Sequence, residues 1–293
     1  MDKITFHADD FGLNESSAKR IEDCYLNGNL RSISVMINGE YKDISSLMKD
    51  SGLNLRLHLN LVEGPALSGS KEIPLLVDER GYFKYSFVGL FLLLLSSKRK
   101  EAKRQIQYEI EKQISLFCSV TGKKEIGIDS HQHVHMIPAI FAAVLASEEK
   151  LQIPIKEIRI PVEPVWPYIK QISLYPTYSV SNIVKIMVLN SLYVFVKPMI
   201  KKDAFKCNLF MGIMFSGCMD EKRIRKVLPD FVKIARKKKV PLELLFHPGY
   251  LEKHEKKIDD QKESFLHFYF SEGRKIEEQV LKSRAFYEFT ESL

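Results

Sequence analysis

Four stretches of this 293-residue chain concentrate side chains that can do chemistry. Asp9 and Asp10 are adjacent carboxylates in Ile4-Thr5-Phe6-His7-Ala8-Asp9-Asp10-Phe11-Gly12. In extended backbone, neighbouring side chains point to opposite sides, so one carboxylate can ligate a metal while the other faces a bound water. Asp-Asp-Phe-Gly also reads as a turn with Gly12 at positive φ. In Leu55-Arg56-Leu57-His58-Leu59-Asn60-Leu61 the period of two puts Arg56, His58 and Asn60 on one face and the leucines on the other. A polar face in an apolar strand needs partners or water.

The densest cluster is Asp129-Ser130-His131-Gln132-His133-Val134-His135. If the strand expected over 125–135 is continuous, Asp129, His131, His133 and His135 project to one side. Three imidazoles in five residues are expensive to bury without a metal or a hydrogen-bond network, and neutral imidazole is a common ligand of zinc and related ions. Alternate strand residues lie about 6.6 Å apart, so not all three reach one ion. One is expected to be the ligand and the others to support it or touch substrate. His247 ends the run Leu242–Phe246, just before Pro248-Gly249, where it can face a site from the opposite wall.

The elements that must position these residues alternate. Strands are expected over 4–8, 32–37, 54–61, 125–135, 157–160, 208–215 and 242–247. Helices are expected to about Asn27 from a cap at Asn14 or Ser16, and over 101–120, 137–149, 220–238 and 275–283. Such alternation argues for an α/β fold with a mostly parallel sheet. The polar residues gather at the C-terminal ends of the strands, the edge at which such folds build sites. No Gly-x-Gly-x-x-Gly or P-loop follows a strand, which argues against a nucleotide site.

The 44 Lys+Arg against 37 Asp+Glu leave a net charge of +7, and 45% of residues are hydrophobic, an ordinary globular composition. The basic runs lack the pattern of a nucleic-acid module, and Arg236-Lys237-Lys238-Lys239 suits the end of a helix. Four scattered cysteines (Cys24, Cys118, Cys207, Cys218) give no disulfide framework. With no leader visible after Met1, a cytoplasmic protein is expected. Two insertions interrupt the alternation, at about 64–100 and 164–205. Each carries an apolar run (87–95 and 183–196) followed by basic residues, Lys98-Arg99-Lys100 in one, and Lys197, Lys201 and Lys202 in the other. Both runs read as too short to span a bilayer. They suit buried or lid helices, a homodimer contact, or a peripheral contact with an anionic membrane.

These motifs together resemble the YdjC-like carbohydrate deacetylases, which include chitooligosaccharide deacetylases. The resemblance rests on Ala8-Asp9-Asp10-Phe11-Gly12-Leu13-Asn14, Leu57-His58-Leu59-Asn60-Leu61 with Glu63-Gly64, Ile128 to Met136, and Phe246-His247-Pro248-Gly249. Thr121-Gly122-Lys123-Lys124 and Arg274 with Glu277 and Leu281 fit as well. It implies one deacetylase-like domain over 1–293, a distorted (β/α) barrel, and one divalent metal ion, Mg²⁺ or Zn²⁺. By motif position it makes Asp10, His58 and His131 the metal ligands, Asp9 the catalytic base and His247 the general acid. Arg159, Glu163, His133 and Asn60 are the expected contacts to an N-acetylated sugar, with Trp166 or Tyr168 available to stack on it. The two apolar, basic insertions point to a sugar carried on a lipid or destined for a cell-surface glycan. A soluble N-acetyl oligosaccharide, a non-catalytic sugar-binding protein and a metal-dependent phosphoesterase are the competing readings.

Overall fold

The computed structural model describes residues 4–200, 206–252 and 267–293. Seven strands form one sheet: β1 (Ile4–Phe11), β2 (Ser32–Val35), β3 (Asn54–Leu59), β4 (Ile126–Ser130), β5 (Ile155–Ile158), β6 (Leu209–Met211) and β7 (Leu242–Phe246). Their spatial order is β5-β4-β3-β2-β1-β7-β6, and every pairing is parallel. The edges meet through one parallel bridge between Glu157 and Lys206, with the Lys206 N–H on the Lys156 carbonyl at 2.8 Å. The sheet is thus curled into the distorted α/β barrel that the resemblance implied.

Among the described residues the α-helices are α1 (Glu15–Leu26), α2 (Phe87–Leu95), α3 (Arg99–Thr121), α4 (Pro138–Leu151), α5 (Trp166–Ile169), α6 (Val180–Val196), α7 (Glu221–Lys238), α8 (Glu272–Lys282) and α9 (Arg284–Glu291). Local chemistry sets their ends. Asn14 Oδ1 accepts from the Ser17 N–H at 2.9 Å to open α1, and Asp220 Oδ1 accepts from Arg223 N at 3.0 Å to open α7. Gly122, at φ 67°, closes α3 in the left-handed conformation. The stripe Ile106, Ile110, Ile114 and Phe117 of α3 is buried as its spacing predicts. Two helices occupy the C-terminus, where the sequence pattern suggested one. Ser283 ends α8 and caps α9, its Oγ accepting from Phe286 N at 3.1 Å.

Apolar side chains sit between the sheet and the helices, and the barrel interior is polar. Leu55, Leu57 and Leu59 join the core while Arg56 and His58 face inward, as the period of two requires. Inside, Arg56 pairs with Glu157 at 2.6 Å and Glu243 at 2.7 Å, and Arg159 pairs with Glu243 at 2.7 Å. Gly127 makes room for Arg56, since a Cβ there would stand 2.9 Å from its Cγ.

Two expected strand geometries fail at one end of the barrel, both through positive φ. β4 stops at Ser130, and left-handed backbone at Gln132 (φ 52°) and His133 (φ 57°) makes His131–Met136 a kinked turn. The three histidines therefore do not share a strand face. In β1, Asp10 at φ 70° breaks the pairing register between Ala8 and Phe11. Asp9 and Asp10 consequently do not point apart.

The insertions flank that same end. The first carries α2, packed on α3. The second carries α5 and α6, with α6 packed on α4 and on the His131–Met136 turn. With its 3₁₀ extension, α6 runs from Val180 to Met199, 20 residues, long and apolar enough to cross a membrane by length and composition, which corrects the shorter span read from sequence. Lys201 and Lys202 lie outside the described residues.

Candidate metal centre

The bulge at Asp10 brings both carboxylates to one imidazole. His58 Nε2 is 3.5 Å from Asp10 Oδ1, and His58 Nδ1 is 3.9 Å from Asp9 Oδ1. His131 Nδ1 approaches the same Asp10 Oδ1 at 3.0 Å. Asp10, His58 and His131 are all buried, and each turns one ligand atom into a cluster within 4.8 Å. The outer nitrogen of each imidazole is fixed by a carboxylate: His58 Nδ1 donates to Asp129 Oδ1 at 2.7 Å, and His131 Nε2 donates to Glu63 Oε2 at 2.8 Å. Carboxylates behind imidazoles set the tautomer and aim the inner nitrogen, the usual support of a metal-bound histidine. Arg274 Nη2 holds the other Asp10 oxygen at 2.5 Å, and its guanidinium lies against the Phe268 and Tyr269 rings.

The electrostatics fit a cation. Six carboxylates (Asp9, Asp10, Glu63, Asp129, Glu157, Glu243) face three guanidiniums (Arg56, Arg159, Arg274) in this interior. Burial pulls the His58 pKa down, but Asp9, Asp10 and Asp129 outweigh it and push it up to about 10. At His131 burial is likewise outweighed, by Asp10 and Glu63, and the pKa rises to about 9. Both imidazoles therefore hold protons where a divalent ion would sit, and the donor set of two imidazoles and one carboxylate suits a borderline ion such as Zn²⁺. Asp10 stays well below the usual carboxylate range against its own burial, through His131, His58 and Arg274.

Asp9 stands just below this cluster. Arg159 grips it with two bonds, Nη1 to Oδ2 at 2.7 Å and Nη2 to Oδ1 at 2.9 Å, and also lies 3.0 Å from Asp129. His7 Nε2 adds a contact to Asp9 Oδ1 at 3.1 Å. Burial opposes the charge on Asp9, yet Arg159, His58 and His7 hold its pKa well below the ordinary value.

Three of the four expected sugar contacts are engaged by the protein itself. Arg159 is buried, with its guanidinium paired to Asp9, Asp129 and Glu243. Glu163 accepts from the backbone N–H groups of Gly212, Ile213 and Met214 and from the Tyr168 hydroxyl, which ties down the segment after β6. Tyr168 is buried in that cluster and offers no stacking face, whereas Trp166 is exposed. Asn60 Oδ1 accepts from Val62 N and Glu63 N, each at 3.1 Å, and its Nδ2 donates to the Glu63 carbonyl at 2.6 Å. Asn60 thereby builds the turn that delivers Glu63 to His131. His133 differs: its Nδ1 is buried with no hydrogen-bond partner among the described residues, and its ring stands edge-on to Phe210 at 5.9 Å.

His247 is partly exposed. Its backbone N–H donates to Glu277 Oε2, its Nδ1 lies 3.8 Å from the same oxygen, and its ring meets Phe268 edge-on at 5.5 Å. His135 is structural, with Nδ1 on Ser130 Oγ at 2.5 Å and Nε2 on the Arg159 carbonyl at 2.7 Å.

The roles of His7, Glu63, Asp129, Tyr269 and Arg274 were not assigned from sequence. For His7 a signal existed, since it shares a strand face with Asp9 two residues on. Tyr269, whose hydroxyl donates to Glu63 at 2.7 Å, has no local signal at all.

A family model described as YdjC-like protein matches residues 3–292. The chain belongs to the YdjC-like family. Among its relatives, a carbohydrate deacetylase of Thermoanaerobacter pseudethanolicus is 32% identical over 158 residues, 53% of this chain and 60% of that one. A carbohydrate deacetylase of Xenopus laevis is 29% identical over 272 residues, 85% of this chain and 81% of that one. A chitooligosaccharide deacetylase of Serratia marcescens is 29% identical over 159 residues, 53% of this chain and 60% of that one. Against most of these relatives the match spans about half to three-fifths of their length. A crystal structure from Enterococcus faecalis V583, named provisionally for cellobiose-phosphate cleavage, superimposes with a TM-score of 0.67 over 99% of this chain and 94% of its own, at 18% identity. That likeness concerns the fold alone.

Proposed function

We propose that this YdjC-like chain is a carbohydrate deacetylase, a hydrolase that uses one divalent metal ion to remove the acetyl group from an N-acetylated sugar. The observation that carries the reading is the buried Asp10–His58–His131 cluster, backed by carboxylates, with an ionised Asp9 beside it. The deacetylase names of the relatives support the substrate class.

Asp10, His58 and His131 would hold the ion. When bound, the ion supplies Lewis-acid polarisation of the amide carbonyl and lowers the pKa of its water. Asp9, kept anionic and oriented by Arg159, takes the proton of the attacking water as its oxygen bonds to the acetyl carbon. His247, which follows β7 beside the strand of Asp9, would give a proton to the sugar nitrogen as the C–N bond breaks, leaving acetate and a free amino sugar. His133, with its unpartnered Nδ1, is the protein group available to a substrate polar atom.

The finer reading is an N-acetylated sugar carried on a lipid, met at the cytoplasmic face of a membrane. It is supported by the apolar surface of the second insertion, whose helix α6 packs on the His131–Met136 turn.

Acetate release tests the proposal, with a panel of free and lipid-linked N-acetylated sugars and protein reconstituted with Zn²⁺ or Mg²⁺. Metal-dependent release is expected, reduced about 10²- to 10⁴-fold in Asp9→Asn. A protein that binds metal stoichiometrically and releases acetate from no member of the panel would overturn the deacetylase reading.

A further inference from the structure

Helix α6 carries two apolar stripes, and the fold uses only one. Its inward stripe, Ile186, Leu189, Leu192 and Val196, packs on the domain. Two asparagines pin that side down. Asn182 Nδ2 donates to the carbonyls of Met214 at 3.2 Å and Ser216 at 3.0 Å, and Asn190 Nδ2 donates to the Glu163 carbonyl at 3.1 Å. The outward stripe is Val180, Ile183, Val184, Met187, Val188, Val194 and Phe195, all exposed, with Met187 at 63% and Phe195 at 64%. The spacing is helical throughout, and these residues cover an arc of roughly 140°. Within that arc the only polar residue is Ser191. Exposed Ile169 and Ile172 precede it in the same insertion.

The first insertion repeats the pattern on a smaller scale. Leu90, Leu93 and Leu94 of α2 are buried, whereas Val88, Leu92 and Leu95 are exposed at i, i+4, i+7 spacing. Exposed Lys98, Arg99, Lys100 and Lys103 follow at once. Lys197 follows the outward stripe of α6.

An apolar stripe with cations at its end is the composition of a helix that lies in the headgroup region of an anionic bilayer. The two asparagine anchors and the packed inward stripe hold α6 along the domain, so the helix offers its outward stripe to a surface and does not cross one. We propose that the outward stripe of α6, with the cationic segment after α2, docks this protein on an anionic bilayer. The charge complementarity favours a bilayer over a second copy of this chain, which carries the same net +7. The purpose of such docking rests on the lipid-linked reading above, because α6 packs on the turn that holds His131. The docking itself does not depend on that reading.

Vesicle co-sedimentation of the full chain tests the inference, with vesicles of phosphatidylglycerol and phosphatidylcholine against phosphatidylcholine alone at low salt. The expected result is binding to the anionic vesicles that weakens as salt rises. The triple variant Met187→Ser, Val194→Ser, Phe195→Ser should lower the partition at least tenfold at an unchanged melting temperature. Lys98→Glu, Arg99→Glu, Lys100→Glu should remove the salt-sensitive part. Absence of binding by folded wild-type protein would overturn the proposal, as would binding that the α6 variant leaves intact. A dimer in sedimentation velocity that the α6 variant dissolves, with no vesicle binding, would instead assign the stripe to contact between copies. The vesicles contain no acetylated sugar, so loss of the deacetylase reading would leave this result standing, and acetate release from a soluble substrate should be unchanged in the α6 variant.

Discussion

Among the described residues, two buried groups of three meet the same geometric requirement for holding a metal. One is Asp10, His58 and His131, and the other is His7, Asp9 and Asp129. They share an end of the sheet and similar donor sets, yet their surroundings differ. The second group already contains a cation: the Arg159 guanidinium lies 2.7 Å from Asp9 and 3.0 Å from Asp129, and both His7 nitrogens are engaged by Ser32 and Ser34 at 2.8 Å. The first group has a guanidinium only behind it, where Arg274 binds the far oxygen of Asp10, and its inner nitrogens converge on one carboxylate oxygen. Proximity of ligand atoms therefore does not by itself distinguish the proposed metal site from its neighbour. What differs is where the guanidinium sits: Arg159 pairs with both carboxylates of the lower group, whereas Arg274 reaches only the far oxygen of Asp10 in the upper one. Burial of an uncompensated charge is costly, so each cluster must be neutralised by something.

The protonation states carry the same contrast. Burial and Arg159 lower the His7 pKa, so that imidazole is neutral. His58 and His131 are driven the other way by carboxylates.

The largest effect expected from this comparison is on metal content. His58→Ala or Asp10→Asn should reduce bound metal from one equivalent to none and acetate release to background, whereas His7→Asn should keep the full equivalent. Elemental analysis of the purified variants decides it. Loss of the ion in His7→Asn with retention in His58→Ala would exchange the roles of the two groups.

The next effect is on stability. Arg159→Met leaves Asp9, Asp129 and part of Glu243 without their cation, and loss of one partner of a buried ion pair costs about 3–5 kcal/mol. Denaturant unfolding measures this. If the guanidinium is what keeps metal out of the lower group, the variant should also take up a second equivalent of Zn²⁺ and recover stability with it. Unchanged stability together with a single equivalent would break the argument.

A smaller effect separates two histidines of one motif. His135 sits four residues after His131, but burial lowers its pKa to about 4. Its unfolded value is near 6.5, so below that pH the unfolded chain takes up a proton that the folded protein refuses. Stability contributed by neutral His135 is full above about pH 6.5 and is lost as the pH falls to about 4, roughly 3 kcal/mol in all. His135→Gln should flatten that part of the stability profile. An identical slope in wild type and variant would remove His135 as its source.

Much of this arrangement was legible along the chain. The alternation of strands and helices and the inward face of β3 follow from residue types and short periods, whereas Asp9, Asp10, His58 and His131 came together as one set only through the resemblance to the YdjC-like family. Two kinds of feature were hidden. Positive φ at Asp10, Gln132 and His133 breaks strand geometry at residues whose types do not demand it, so both histidine spacing and carboxylate direction came out differently. Ion pairs between distant positions were the other. Arg159 meets Asp9 across 150 residues and Tyr269 meets Glu63 across 206, and no local pattern encodes either contact. Arg159 and Asn60 looked like residues offered to a ligand because polar residues near strand ends have no visible partner until the barrel closes.

The smallest expected effect tests whether the outer carboxylates matter to the upper group alone. Glu63 touches His131 and Tyr269, and replacing it with Gln keeps its shape while removing the anion that fixes His131. Loss of such a support is worth about 10- to 100-fold in metal affinity. Ser34→Ala is its counterpart below, since Ser34 bonds His7 and Asp129 but no proposed ligand. Competition with a chelator should show weaker Zn²⁺ binding in Glu63→Gln and little change in Ser34→Ala. Equal losses in both would mean that the two groups act as one coupled network, and the division drawn between them would fail. Weakening confined to Glu63→Gln would show that the proposed metal site draws on the carboxylate behind His131 and not on the hydroxyl that joins His7 to Asp129.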